Sequence, residues 1–194
     1  MSKDPSCTET GVGTRATVEN VVVGSKGELA NVVVYISQGL TGNEGGTRSE
    51  PVILDQKGCQ YVPHVVAVDV GQHMKIMNSD KTAHNIHPEP KPGSGNNQWN
   101  KSQLAGTSPI DITWSNEEIA IPVKCNIHPW MHGYIAVVRG PVGVSNDSGA
   151  FQLDNVPPGT YTLTAWQETY GTQIRQVTVA AGKPVTADFS FKVK

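Results

Sequence analysis

The sequence predicts an all-β protein. Twenty glycines and thirteen prolines break up its 194 residues. The apolar residues between them fall in short runs rich in Val, Ile and Thr. No stretch carries the three-to-four-residue apolar period of an amphipathic helix. A chain of this length builds one or two domains.

Taken in order, residues 1–15 are polar, lack a strand pattern and read as a loose arm, tethered if Cys7 is bonded. Residues 16–23 and 31–37 read as two strands around a turn at 24–27. A Gly-rich loop follows at 39–49, and a strand starts at 51–54. Residues 65–70 and 73–77 read as strands separated by a turn at Gly71, and 78–82 lead to His84. The Pro-, Gly-, Asn- and Ser-rich stretch 88–108 predicts a long irregular loop. Residues 110–114 alternate like a strand with one wet face, and 119–125 and 134–138 are strands flanking a tight loop. After 139–141 the character changes. Residues 144–153 predict a hairpin bent at 147–149, and 156–166 a rigid Pro-Pro-Gly turn feeding a strand. Strands at 173–179 and 185–191, joined by a turn at 180–184, complete a small sheet. Short strands at regular spacing predict a sandwich.

The strongest chemical signal is the run Cys-Asn-Ile-His-Pro-Trp-Met at 125–131, with a second run, His-Asn-Ile-His, at 84–87. Cys125, His128 and Met131 share one short loop, so only a fourth donor must come from elsewhere, and the run at 84–87 offers a second imidazole. Two imidazoles and a thiolate in a plane, with a weak axial thioether, are the donor set of a blue-copper site. Singly, each residue is more often structural: a buried Cys is usually a small core residue. Together, at Cys-x2-His-x2-Met spacing, they point to a metal. Zinc would accept the Cys and His donors, but thioether is a poor zinc ligand. Nucleophilic Cys–His chemistry at Cys125 with His128 or His84 would leave Met131 without a role. A dinuclear purple centre needs two cysteines in the loop, and only Cys125 is there. His64, His73, His87 and His132 read as surface or structural residues, ahead of a second copper site at Cys59, His64 and His87.

With Cys125 assigned to metal, Cys7 and Cys59 remain of the three cysteines. They are expected to form a disulfide in an oxidising compartment, ahead of the alternative of two free thiols. Net charge is −2 with 16% charged residues, so no basic surface points to nucleic acid. The longest apolar runs are too short for a transmembrane segment. Residues 1–5 show no apolar signal-peptide region. The remaining features still lead us to expect a periplasmic or extracellular protein whose export signal has been removed.

Residues 50–139 resemble the cupredoxin family. The loop 125–131, with Pro129 and Trp130 between His128 and Met131, is most similar to that of amicyanin-like members, which also carry a His-Asn-x-His run. The resemblance implies a Greek-key β-sandwich with His84, Cys125 and His128 as equatorial copper ligands and Met131 as the axial one. It also implies that Asn85 ties the two ligand loops together, and it matches His87 to a histidine that is not a ligand. Residues 140–194 resemble the carboxypeptidase regulatory-like, or transthyretin-like, module through 147–151 and 156–163. That module normally opens with strands similar to 27–36, so a split module is expected. Residues 16–49 would supply its first strands and the copper domain would be inserted at 50–139. The other arrangement adds 16–38 to the cupredoxin.

The expected protein therefore carries one type 1 copper per chain, passes single electrons between redox partners and transforms no substrate itself. His128 is expected near the surface, framed by Pro129, Trp130 and Gly133, for brief docking to a c-type cytochrome or a dehydrogenase. The competing readings are a copper-binding or copper-delivery protein and a scaffold that docks a partner through its transthyretin-like module.

Overall fold

The computed structural model describes residue 7 and residues 19–42 and 48–192, and its named elements are all strands. In chain order they are β1 (Val33–Gln38), β2 (Val52–Gln56), β3 (Tyr61–Val62), β4 (Val65–Asp69) and β5 (Met74–Asn78). Then come β6 (His84–Pro88), β7 (Lys101–Gln103), β8 (Ile110–Ile112), β9 (Glu118–Lys124) and β10 (His132–Val138). The last three are β11 (Val142–Val144), β12 (Gly159–Gln167) and β13 (Gly171–Val179). Two compact units separate: residue 7 with 48–137, and 19–42 with 138–192. Among the described residues no helix is long and apolar enough to cross a membrane.

The first unit is a sandwich of two sheets, ordered β4-β10-β9-β6-β7 and β3-β2-β5-β8. Alternation builds it. In β5, Met74, Ile76 and Asn78 are buried while Lys75 and Met77 are partly exposed, as a strand with one face on a core requires. Leu54, Tyr61, Met74 and Ile76 of one sheet meet Ile86, Ile121, Val123, Ile135 and Val137 of the other. Cys125 and Met131 belong to the same apolar cluster. One polar pair crosses this core: buried Gln56 donates to Gln103 at 2.7 Å, and Gln103 donates to the Ile76 carbonyl at 3.1 Å.

Two local features shape the end that carries the candidate site. β2 and β3 are joined by the two-residue loop Gly58-Cys59, with φ of 65° and 54° and reciprocal backbone bonds between Lys57 and Gln60. Positive φ at both central residues is the mark of a type I′ hairpin turn. At Gly133 a Cβ would stand 2.7 Å from the His64 carbonyl oxygen, so β10 passes this segment too closely for a side chain.

The second unit contains one sheet, ordered β11-β1-β12-β13. β1 lies between β11 and β12, pairing Val33 with Val144 on one side and with Trp166 on the other. Its inward side chains Val34 and Ile36 pack with Ala165, Tyr161 and Leu163, beneath Phe151, Leu153 and Phe189.

Several sequence expectations need correction. Residues 185–191 form no strand. Ala187, Phe189 and Phe191 do pack inward at alternate positions, but side chains take the place of a ladder: Gln173 donates to the Ser190 carbonyl and Arg175 to the Asp188 carbonyl. The hairpin expected at 144–153 keeps its bend and no second strand. Asn146 closes the bend by accepting from the Ser148 and Ala150 amides. The irregular loop at 88–108 contains β7, which pairs with β6. Of the strand expected at 16–23, residues 16–18 lie outside the described residues, and the rest forms only a bridge between Val23 and Leu29. The arm expected at 1–15 lies outside them except for Cys7, as do residues 43–47 of the Gly-rich loop.

The position of β1 makes a prediction. An isolated 138–194 fragment lacks the strand between β11 and β12 and cannot cover Ala165, Tyr161 and Leu163, so it should give an undispersed amide NMR spectrum. Adding residues 19–42 as a separate peptide should restore dispersion.

Candidate metal centre

β9 ends at Lys124 and β10 begins at His132, so residues 125–131 are the connection between two antiparallel neighbours. That connection closes on itself: the Cys125 amide donates to the Met131 carbonyl at 3.1 Å and the Met131 amide to the His128 carbonyl at 2.9 Å. β6 flanks β9 on its other side, with His87 opposite Lys124. His84, the first residue of β6, is thereby brought to the loop.

The donors meet. Ligand atoms of His84, Cys125 and His128 all lie within 4.8 Å of one another. The two Nδ1 atoms are 2.9 Å apart, and Cys125 Sγ is 3.9 Å from His128 Nδ1. Trigonal donors around a metal, with bonds of about 2.0 Å to nitrogen and about 2.3 Å to sulfur, stand roughly 3.5 Å apart, so small shifts suffice to seat an ion. Met131, 1% exposed, packs in the same buried cluster as Cys125. The donor set therefore fits copper, which favours thiolate, imidazole and thioether together.

Asn85 ties the two segments. Its Oδ1 accepts from the amides of Asn126 at 2.7 Å and Ile127 at 3.3 Å and faces Cys125 Sγ at 3.4 Å. Its Nδ2 donates to Asn100 and Asn126. The Tyr61 hydroxyl donates to the Asn85 carbonyl at 2.7 Å. Burial, with the Cys125 charge nearby, pushes the Tyr61 pKa up and keeps it a donor.

The site is electrically poised. Burial opposes the Cys125 thiolate, but a hydrogen bond with His84 and backbone N–H bonds outweigh it and hold the thiol at about 6. Burial likewise opposes a charged His84, but Asp80 and Cys125 outweigh it and raise its pKa to about 9. Asp80 Oδ2 stands 2.8 Å from His84 Nε2, and neither side chain is exposed. Burial raises the Asp80 pKa, while bonds from His84, Cys59 and Gly58 prevail and hold it below the ordinary carboxylate value. Two ring nitrogens 2.9 Å apart need a proton between them. The raised pKa of His84 favours that ring as its carrier.

One finding departs from the sequence reading, and the expected disulfide is present. His128 is 1% exposed instead of lying near the surface. Its ring packs 5.2 Å from Trp130, and Asn126, Ile127 and Pro129 are the exposed residues of the loop, Ile127 being a large apolar one. A disulfide joins Cys7 to Cys59, and its sulfurs and a His128 ring nitrogen lie within 4.8 Å of one another. The other histidines are engaged separately. His87 bonds Asn126 and Gln98, His73 bonds Asp111, His132 bonds the Trp130 carbonyl, and His64 packs edge-on against His132. Cys59, His64 and His87 are not gathered into one group among the described residues. Sequence reasoning missed Asp80. The available signal was a carboxylate four residues before His84.

Residues 138–192 match the carboxypeptidase regulatory-like domain. No curated protein matches the chain. Among solved structures the chain is similar to a Cu-containing nitrite reductase (NirK) from Thermus scotoductus. They are 21% identical, with 52% of this chain and 25% of that one covered and a TM-score of 0.40. The chain thus spans about a quarter of that protein's length. It is also similar to a reduced Cu(I) form of an amicyanin variant, with 18% identity, 54% and 97% covered and a TM-score of 0.40. A purple cupredoxin from Nitrosopumilus maritimus is 21% identical, with 46% and 99% covered and a TM-score of 0.37.

Two predictions follow from this geometry. At neutral pH Cys125 is already a thiolate and His84 carries the extra proton, so binding one Cu(II) should release about one proton. Calorimetry in buffers of different ionisation enthalpy counts it. Asn85→Ala leaves the Asn126 and Ile127 amides without their acceptor and should cost about 2 kcal/mol of metal-free stability, read by denaturant unfolding.

Proposed function

We propose that the first unit is a cupredoxin that holds one mononuclear type 1 copper and passes single electrons between redox proteins. One observation carries this reading: a thiolate and two imidazoles, all buried, are gathered with their donor atoms within 4.8 Å of one another. Copper in this donor set supplies one-electron exchange between Cu(II) and Cu(I).

The protein's own residues do the rest. Cys125, His84 and His128 would hold the copper, and Met131 would offer its thioether as a weak further donor. Asn85 holds the loop so that the Cys125 sulfur stays aimed at the imidazoles. Packing around Met131, Ile86 and Val123 excludes water. A preformed, dry donor set resists rearrangement when charge changes, which suits fast electron exchange. The same burial argues against delivery of copper, which needs exchangeable ligands, and against catalysis by the Cys125 thiolate, which no substrate can approach at 2% exposure.

The partner we infer is a c-type cytochrome or a dehydrogenase, met briefly at the loop that exposes Ile127. The disulfide supports a periplasmic or extracellular location, where such bonds persist. We read the second unit as a carboxypeptidase regulatory-like module whose strand β1 precedes the copper unit in sequence.

The test is optical. One Cu(II) should give an intense visible thiolate band that Cys125→Ser abolishes, and intense colour surviving in that variant would sink the assignment. Met131→Leu should keep copper and colour while raising the reduction potential, as expected of an axial ligand that tunes more than it holds. Voltammetry of the two proteins checks this.

A further inference from the structure

We propose that Asp80 is the positioning residue of the copper centre, and that the Cys7–Cys59 disulfide acts on the metal through it. This rests on the reading of His84, Cys125 and His128 as copper ligands.

The connection is short, and Cys59, Asp80 and His84 along it are buried. His84 Nε2 stands 2.8 Å from Asp80 Oδ2. An acceptor at Nε2 fixes that nitrogen as the protonated one, fixes the ring's rotation, and leaves Nδ1 for the metal. Asp80 is itself held from the far side. Its Oδ1 accepts the Gly58 amide at 2.7 Å, and its Oδ2 also accepts the Cys59 amide at 2.8 Å. Both donors are the central residues of the type I′ turn. Cys59 is a non-glycine residue with φ of 54°, a conformation that persists only where surroundings impose it.

The surroundings here are the Asp80 carboxylate and the bond to Cys7, 52 residues away in sequence. Disulfide, turn, carboxylate and imidazole thus form one continuous chain. Its sulfur end lies beside His128, the second imidazole, so the disulfide backs both histidine ligands. Three donors converge on one carboxylate. An Asn side chain, with one acceptor oxygen, cannot serve them all. The carboxylate charge also favours Cu(II) over Cu(I).

The test compares reduction potentials and copper affinities of the wild type, Asp80→Asn, Asp80→Glu, the double variant Cys7→Ser/Cys59→Ser, and that pair combined with Asp80→Asn. Asp80→Asn should lose about 10- to 100-fold in Cu(II) affinity, the usual effect of removing a partner behind a ligand. Cu(I) affinity should fall less, so the potential rises. Asp80→Glu keeps the charge and should recover much of the shift. Removing the disulfide should move the potential the same way, and should add little once Asp80 is Asn. A blue Asp80→Asn protein at the wild-type potential overturns the proposal, as do additive shifts.

If the variants fail to fold, ¹⁵N-resolved NMR of the wild-type metal-free protein decides. A far-downfield, slowly exchanging His84 Nε2–H should be present and should be lost on selective reduction of the disulfide. Its absence, or its survival unchanged after reduction, refutes the chain of contacts. A wild type that binds no copper while showing this proton would refute the copper reading and leave the Asp80–His84 contact standing.

Discussion

Charge held out of water at one end of the first sandwich is the constraint around which that unit is organised. A thiolate, an imidazole with a raised pKa and a carboxylate each resist burial. Each is made tolerable by another: His84 stands between Cys125 and Asp80, and backbone amides complete the set. Burying any one alone would be costly. The strand order follows from this need. β6 must flank β9 so that His84 reaches Cys125, and the β2–β3 turn must lie against Asp80. The polar cluster is satisfied as a network, and the metal would replace the proton at its centre.

Much of this was legible in the sequence, and what was not has a physical reason. In the first unit β2, β4, β5, β8, β9 and β10 announce themselves as short apolar runs, whereas β3, β6 and β7 do not. The loop 125–131 was legible because its donors are neighbours in the chain. Asp80 was not, because its importance comes from amides at Gly58 and Cys59 on a separate turn. The burial of His128 was hidden for the same reason: the disulfide near it involves a residue more than a hundred positions away. In the second unit residues 185–191 were expected as a strand, and only the inward packing of Ala187, Phe189 and Phe191 is found there. Periodicity reports which side chains face a core, and it does not say whether the backbone finds a ladder.

The second sheet also carries a cost in time. β1 precedes the first unit, while β11, β12 and β13 follow it, so their pairing closes a loop of about a hundred residues. Contacts of such sequence separation form slowly. During synthesis β1 waits, with Val33 and Val34 uncovered, until the first unit has been made. The first unit, apart from Cys7, is continuous and can fold in the meantime.

The glutamine pair inside the first sandwich has a role beyond filling space. Gln103 is the residue directly opposite His84 in the β6–β7 ladder, and β7 is an edge strand of three residues, two of them exposed. So short an edge has little to fix its alignment. Its next residue, Leu104, is apolar yet 62% exposed, so a shift of one position would carry an apolar side chain inward and would look favourable by hydrophobicity alone. It would also take the Gln103 acceptor from the buried Gln56 amide, leaving it only the Met77 carbonyl. The buried hydrogen bond therefore chooses between two alignments that apolar packing would not separate, and the alignment it chooses sets the strand beside His84.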